Sequence, residues 1–137
     1  MLSDKVFSHA DCDNLVEATI GEIKKLASLK GGEYAGDFDR LANFRRNGEQ
    51  MDVPMETCWA IYYNKHHDAI MQYTRDLKNG KTRPRAESLA GRCDDMIVYL
   101  ILFKAMLLER GEWTHLSATK PQLNKDDQSR VVLTGRS

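Results

Sequence analysis

Apolar residues recur at helical intervals along most of this chain, and the breaks between the stripes fall at glycine, proline and clusters of charge. Between Asp11 and Lys30, Leu15, Val16, Ala18, Ile20, Ile23, Leu26 and Ala27 form the first stripe. They predict a helix with Asp11 or Asp13 as N-cap and Gly31-Gly32 as its stop. Gly31 to Gly36 reads as a bend, and Asp37 as the N-cap of a short second helix carrying Phe38, Leu41, Ala42 and Phe44 and ended by Gly48. Pro54 stands where a first-turn proline belongs. From Met55 to Leu77, Trp59, Tyr62, Tyr63, His66, Ile70 and Tyr73 mark a third helix closed by Asn79-Gly80.

Lys81 to Pro84 reads as a basic linker, followed by the longest predicted helix, Ala86 to Arg110. Its buried stripe is Leu89, Cys93, Met96, Ile97, Leu100, Ile101, Leu107 and Leu108, and the run Met96 to Phe103 is apolar nearly all round, which predicts a central position. Beyond Gly111 the pattern collapses into a polar tail with one apolar island, Val131-Val132-Leu133. No strand-period run competes with the helical stripes, so the chain is predicted to be an all-α bundle of about four helices, residues 1–112, with a polar C-terminal tail, residues 113–137.

The 137 residues suit one domain, and 42% hydrophobic with 29% charged residues suits a globular protein. A formal net charge of zero removes the bulk-charge argument for long nucleic acid or an anionic membrane and leaves room for a small charged ligand. Cys12, Cys58 and Cys93 are odd in number and have no C-x-x-C spacing, as expected of reduced thiols in a cytoplasmic protein. The N-terminal residues lack a signal pattern, and the run Met96 to Phe103 is too short to span a bilayer.

The densest chemistry lies between Gly31 and Arg46, where Glu33, Asp37 and Asp39 mix with Arg40, Arg45 and Arg46 beside Lys30. Glu87 and Asp94, two helical turns apart, would share a face flanked by Asp95. Carboxylates at the mouth of a buried helix must be solvated, paired or bound to a cation. A magnesium ion could join carboxylates from two helices to a triphosphate. The competing expectation is ordinary pairing, Glu33 with Lys30, Asp37 with Arg40 and Asp94 with Arg92, which stabilises helix ends and nothing more. His66 and His67 are adjacent on a helix, so one is expected to pack and the other to face water, without zinc. Lys65 is a candidate phosphate contact, and one or two of the aromatics, among them Tyr34, could stack on a base. No P-loop, dinucleotide, nucleophile-elbow or H-E-x-x-H motif occurs.

The order K-G-G-E-Y-A-G-D, L-A-N-F-R-R, N-K-H-H-D-A-I and E-S-L-A-G-R-C-D-D-M-I-V-Y-L-I-L, spanning Lys30 to Leu108, resembles small phage and prophage proteins related to the MazG-like all-α nucleotide pyrophosphohydrolases and to phage nucleotide-modification families. The resemblance implies a homo-oligomeric helical bundle in the host cytoplasm. Such a bundle holds Mg2+ through acids on two helices and cleaves a nucleoside triphosphate between its α and β phosphates. Carried over, Glu33 and Asp37 form the first acidic pair, Asp94 and Asp95 the ligands on the last helix, and Glu87 a looser metal match. Glu33 and Asp94 are the implied catalytic acids. Lys30, Tyr34, Asn43, Arg45, Arg46, Lys65 and Arg92 are the implied contacts to the nucleotide. Ala90 and Gly91 stand where these enzymes carry a further acid. Two other functions fit the same residues: a non-catalytic protein that sequesters a nucleotide signal, and a helical interaction protein using its tail from Glu112 to Ser137.

Overall fold

The computed structural model describes residues 6–30 and 39–114, and within them the chain is all-α: α1 His9–Lys30, α2 Ala42–Met51, α3 Met55–Lys78 and α4 Leu89–Arg110. No strand occurs among the described residues, and none of their helices is long and apolar enough to cross a membrane. The polar tail from residue 115 onward lies outside the described residues, as do Glu33, Tyr34 and Asp37.

The ends of the helices explain where the sequence reading was offset. Helix α1 starts before Asp11 because Ser8 is its N-cap. The Ser8 hydroxyl accepts from the Asp11 amide at 3.0 Å and the Asp11 carboxylate accepts from the Ser8 amide at 2.9 Å, a reciprocal box that satisfies two otherwise orphaned donors. The Ser8 contacts also hold the Asp11 carboxyl below its ordinary pKa. Likewise α4 begins at Leu89 and not at Ala86, because the Ser88 hydroxyl accepts from the Gly91 amide at 2.9 Å.

At the other ends, three helices close in the same way. In α3, Lys81 N donates to Asp76 O at 2.8 Å and Gly80 N to Leu77 O at 3.2 Å. In α4, Glu112 N donates to Leu107 O at 3.0 Å and Gly111 N to Leu108 O at 3.1 Å. The reversing residues Gly80 and Gly111 have φ of 66° and 76°, the left-handed conformation this motif requires. Helix α2 closes by the same pair of bonds, Val53 N to Gly48 O at 2.9 Å and Asp52 N to Glu49 O at 3.3 Å, with Asp52 at φ 59° as its reversing residue. Gly48 therefore does not end α2. It is buried inside it, and a Cβ there would stand 2.8 Å from Val53 O.

The described residues fall into two compact units that divide between Tyr99 and Leu100, within α4. In the first unit α2 and α3 are the helices whose backbones approach each other. Their contact buries Leu41, Phe44 and Cys58, and Val98 of α4 is buried as well. Aromatic rings extend this core: Phe44 meets Tyr62 and Tyr99 edge-on at 5.9 and 6.3 Å, Tyr62 stacks on Tyr99, and Trp59 stacks on Tyr63 at 4.9 Å. The Trp59 indole N–H also donates to Tyr99 O at 2.6 Å. In the second unit, Met106 is fully buried and Lys104 lies 4.7 Å over the Trp113 ring. The apolar run of α4 is less enclosed than its composition predicts, since Leu100 and Ile101 remain nearly half exposed.

Candidate functional site

The turn closing α3 and the start of α4 bring together side chains that are far apart in sequence. Asp76, on the last turns of α3, is only 2% exposed. A buried carboxylate is costly unless it is paired and hydrogen-bonded, and this one is both. Arg83 donates through Nε to Oδ2 at 2.7 Å and through Nη2 to Oδ1 at 2.8 Å, and Gln72 Nε2 adds a third bond at 3.0 Å. The guanidinium foremost holds the Asp76 carboxyl far below the usual carboxylate range, and the same contact raises Arg83. This pairing pins residues 81–88, which have no helical structure of their own, against the end of α3.

Between that segment and the two helices lies a cavity of about 240 Å³ whose polar lining includes Gln72, Tyr73, Asp76, Arg83, Arg85, Glu87 and Arg92. Three guanidinium groups against two carboxylates leave one positive charge in excess. Arg83 is committed to Asp76, and Arg92 to its own partners. Arg85 lies 4.8 Å over the Tyr73 ring and forms no ion pair among the described residues, so its donors are the ones available to an anion.

Beside the cavity, His66 of α3 is 5% exposed and faces α4. Its Nδ1 lies 3.1 Å from Arg92 Nη1 and 3.8 Å from Asp95 Oδ2. The same Arg92 nitrogen lies 3.1 Å from Glu87 Oε1. Arginine only donates, so Nδ1 must accept and the imidazole is the neutral form protonated at Nε2. Burial pushes its pKa below the ordinary value, the Asp95 carboxylate opposes that shift, and the Arg92 charge adds to it. One ligand atom each from His66, Glu87 and Asp95 lies within 4.8 Å of the others, a group of three that could hold a metal ion.

The residues singled out in the sequence divide accordingly. Glu87, Arg92 and Asp95 converge with His66. Glu87 does so from the segment preceding α4 and not from the helix, so the two-turn spacing to Asp94 does not place those acids on one helical face. Asp94 is outside the group of three and makes no ion pair among the described residues, and the expected pairing of Asp94 with Arg92 is replaced by Arg92 with Glu87 and His66. Arg45 instead forks onto Asp39, with Nε to Oδ2 at 2.5 Å and Nη2 to Oδ1 at 3.2 Å, and holds that carboxyl below its ordinary pKa. Arg46 donates to Asn43 Oδ1 at 2.5 Å, and Arg40 donates to the Ala27 carbonyl. Lys65 is exposed on α3, and Lys30 ends α1. Of the adjacent histidines, His66 packs while His67 remains partly exposed, as their helical spacing predicts.

Magnesium takes oxygen donors in near-octahedral geometry. A buried imidazole nitrogen with a guanidinium already among the carboxylates is a different donor set, so the converging residues do not suit Mg2+. Sequence reasoning missed the part played by His66 because spacing within α3 offers it no second ligand. Its neighbours come from residues 87–95, and only the turn after α3 brings them back. Comparison with protein-family models, with curated proteins and with solved structures found no match for the chain.

Proposed function

We propose that the chain binds a nucleotide or nucleotide-derived phosphate ester, with the phosphate seated in the cavity between α3, residues 81–88 and the start of α4. The observation that carries this reading is Arg85, a guanidinium stacked on Tyr73 in a concave site with one positive charge in excess. Arginine forks match phosphate geometry, and stacking on the ring fixes the fork without consuming its donors. A volume of about 240 Å³ is below the range typical of sites that enclose a drug-sized ligand. It therefore suits the phosphate and part of the sugar, leaving the base and further phosphates outside.

The resemblance to MazG-like proteins gives the reading its fuller form, a magnesium-dependent pyrophosphohydrolase acting on nucleoside triphosphates as a homo-oligomer. Sequestration without hydrolysis is the narrower form. Titrating the protein with nucleoside mono- and triphosphates, with and without Mg2+, separates them. Both forms predict a rise in thermal midpoint with nucleotide, an apparent nucleotide affinity that inorganic phosphate weakens by competition, and an affinity that Arg85→Ala lowers about tenfold, the weight of one charged hydrogen bond. Recovery of monophosphate and pyrophosphate establishes the enzyme, and recovery of unchanged triphosphate establishes the binding protein. No midpoint shift and no turnover with any nucleotide would end both, leaving an interaction protein. Light scattering on the same sample gives the number of subunits.

A further inference from the structure

We infer that His66, Glu87 and Asp95 form a site for a divalent transition-metal ion of the zinc or cobalt type, and that the Arg92 guanidinium is the internal cation holding this site closed. The inference uses the metal alone as its probe and does not rest on nucleotide binding.

Arg92 Nη1 lies at 3.1 Å from both His66 Nδ1 and Glu87 Oε1, so a single nitrogen carrying part of a positive charge already bridges an imidazole and a carboxylate. Asp95 Oδ2 stands 3.8 Å from that imidazole nitrogen. The Nδ1 lone pair is directed at this point from a side chain that is 5% exposed, and water has little access to satisfy it if Arg92 moves away. One neutral imidazole and two carboxylates are donors that zinc-type ions accept and magnesium does not favour.

Metal bonds of about 2.1 Å hold neighbouring ligand atoms about 3.4 Å apart in a tetrahedral site. Atoms within 4.8 Å of one another must therefore draw in by up to about 1.4 Å. Glu87 can supply most of that movement, because it is exposed and precedes α4. Arg92 also lines the adjacent cavity, which gives its guanidinium a place to turn into. A metal arriving in the site would thus transfer a positive charge from the cluster to the cavity. Three protein ligands leave at least one coordination position open.

The test is titration of untagged protein with Zn2+ by calorimetry and with Co2+ by visible absorption, with Mg2+ as the comparison ion. The expected result is a single site that weakens at least tenfold in Glu87→Gln and in His66→Gln, is unchanged in Cys93→Ser, and tightens at least tenfold in Arg92→Gln. Glu87→Gln is an exposed substitution and reads the site without threatening the fold; circular dichroism checks that His66→Gln and Arg92→Gln are folded, and Arg92→Lys replaces Arg92→Gln if it is not. Tight binding in the wild type that ignores Glu87→Gln overturns the site. Equal or weaker binding in Arg92→Gln overturns the closing role of Arg92, and no binding in either protein overturns both.

Discussion

Asp76 and Arg83 share two hydrogen bonds across seven residues of sequence, Nε to Oδ2 at 2.7 Å and Nη2 to Oδ1 at 2.8 Å, with the carboxylate buried and the guanidinium half exposed. The pair fastens residues 81–88 to α3 beside the cavity they line, so the seating of this segment is expected to depend on the ionised form of Asp76.

That dependence fixes the sign of an acid transition. The Asp76 carboxyl is depressed in the folded protein from an ordinary value of 3.8. Its stabilising contribution is present in full above the unfolded value and is lost as pH falls through the folded one. Asp39 and Asp11 are shifted the same way. Thermal midpoints measured by circular dichroism should fall between pH 7 and 5, where the unfolded chain takes up a proton at His66 that the buried imidazole resists, and fall further below about pH 4 as the carboxylates titrate. Asp76→Asn should lower the midpoint at pH 7 by on the order of 10 °C, as expected when a buried partner is left unpaired, and the gap to the wild type should narrow in acid. An equal gap at pH 7 and pH 3 would show that the charge of Asp76 contributes nothing.

Two glycines inside helices should respond to alanine in opposite directions. At Gly48 the added Cβ meets Val53 O at 2.8 Å, Met55 N at 3.2 Å and Met55 Cα at 3.3 Å, all backbone atoms that cannot turn aside. Gly48→Ala should destabilise by about 1–3 kcal/mol, the range for overpacking. At Gly21 an added Cβ meets nothing within 4 Å among the described residues beyond its own turn of helix, and Gly21→Ala should stabilise α1 by up to about 1 kcal/mol through helix propensity alone. Urea unfolding reads the first, and helical ellipticity the second.

Trp59→Phe keeps a ring over Tyr63 but removes the N–H that reaches Tyr99 O at 2.6 Å. The loss should be about 1 kcal/mol in chemical unfolding, the usual weight of one hydrogen bond. A neutral substitution would mean that this hydrogen bond adds nothing to the joining of α3 and α4.

Ser8→Ala removes the N-cap of α1 and should reduce its stability by about 0.5–2 kcal/mol. Because Asp11 also accepts from the Ser8 amide, the Ser8→Ala and Asp11→Ala effects should fall short of additive. Ellipticity at 222 nm in the double variant, compared with the two single ones, tests this.

The helices were legible because Leu15 to Ala27, Trp59 to Tyr73 and Leu89 to Leu108 repeat at the period a helix imposes. Their ends were less so. The Ser8-x-x-Asp11 spacing is a capping signal, but Asp11 and Asp13 stand closer to the apolar stripe and compete with Ser8 as N-cap in the sequence. Gly48 looked like a terminator because glycine so often is one, whereas the reversing residue is Asp52, a type that adopts positive φ less often. At the site, Glu87, Arg92 and Asp95 stood out as charges, but their convergence on His66 depends on the Asp76 turn, and no local pattern encodes that closure.

Helix α1 carries Leu15, Val16 and Ile20 at 55%, 49% and 43% exposure, so its apolar stripe gains little from burial. Its persistence rests on 22 residues of length and on the Ser8–Asp11 box more than on a core. Its amide hydrogens should consequently exchange with deuterium through opening of this one segment, on its own helix–coil balance, while those of α2 and α3 around Phe44 and Cys58 wait for the whole unit to unfold.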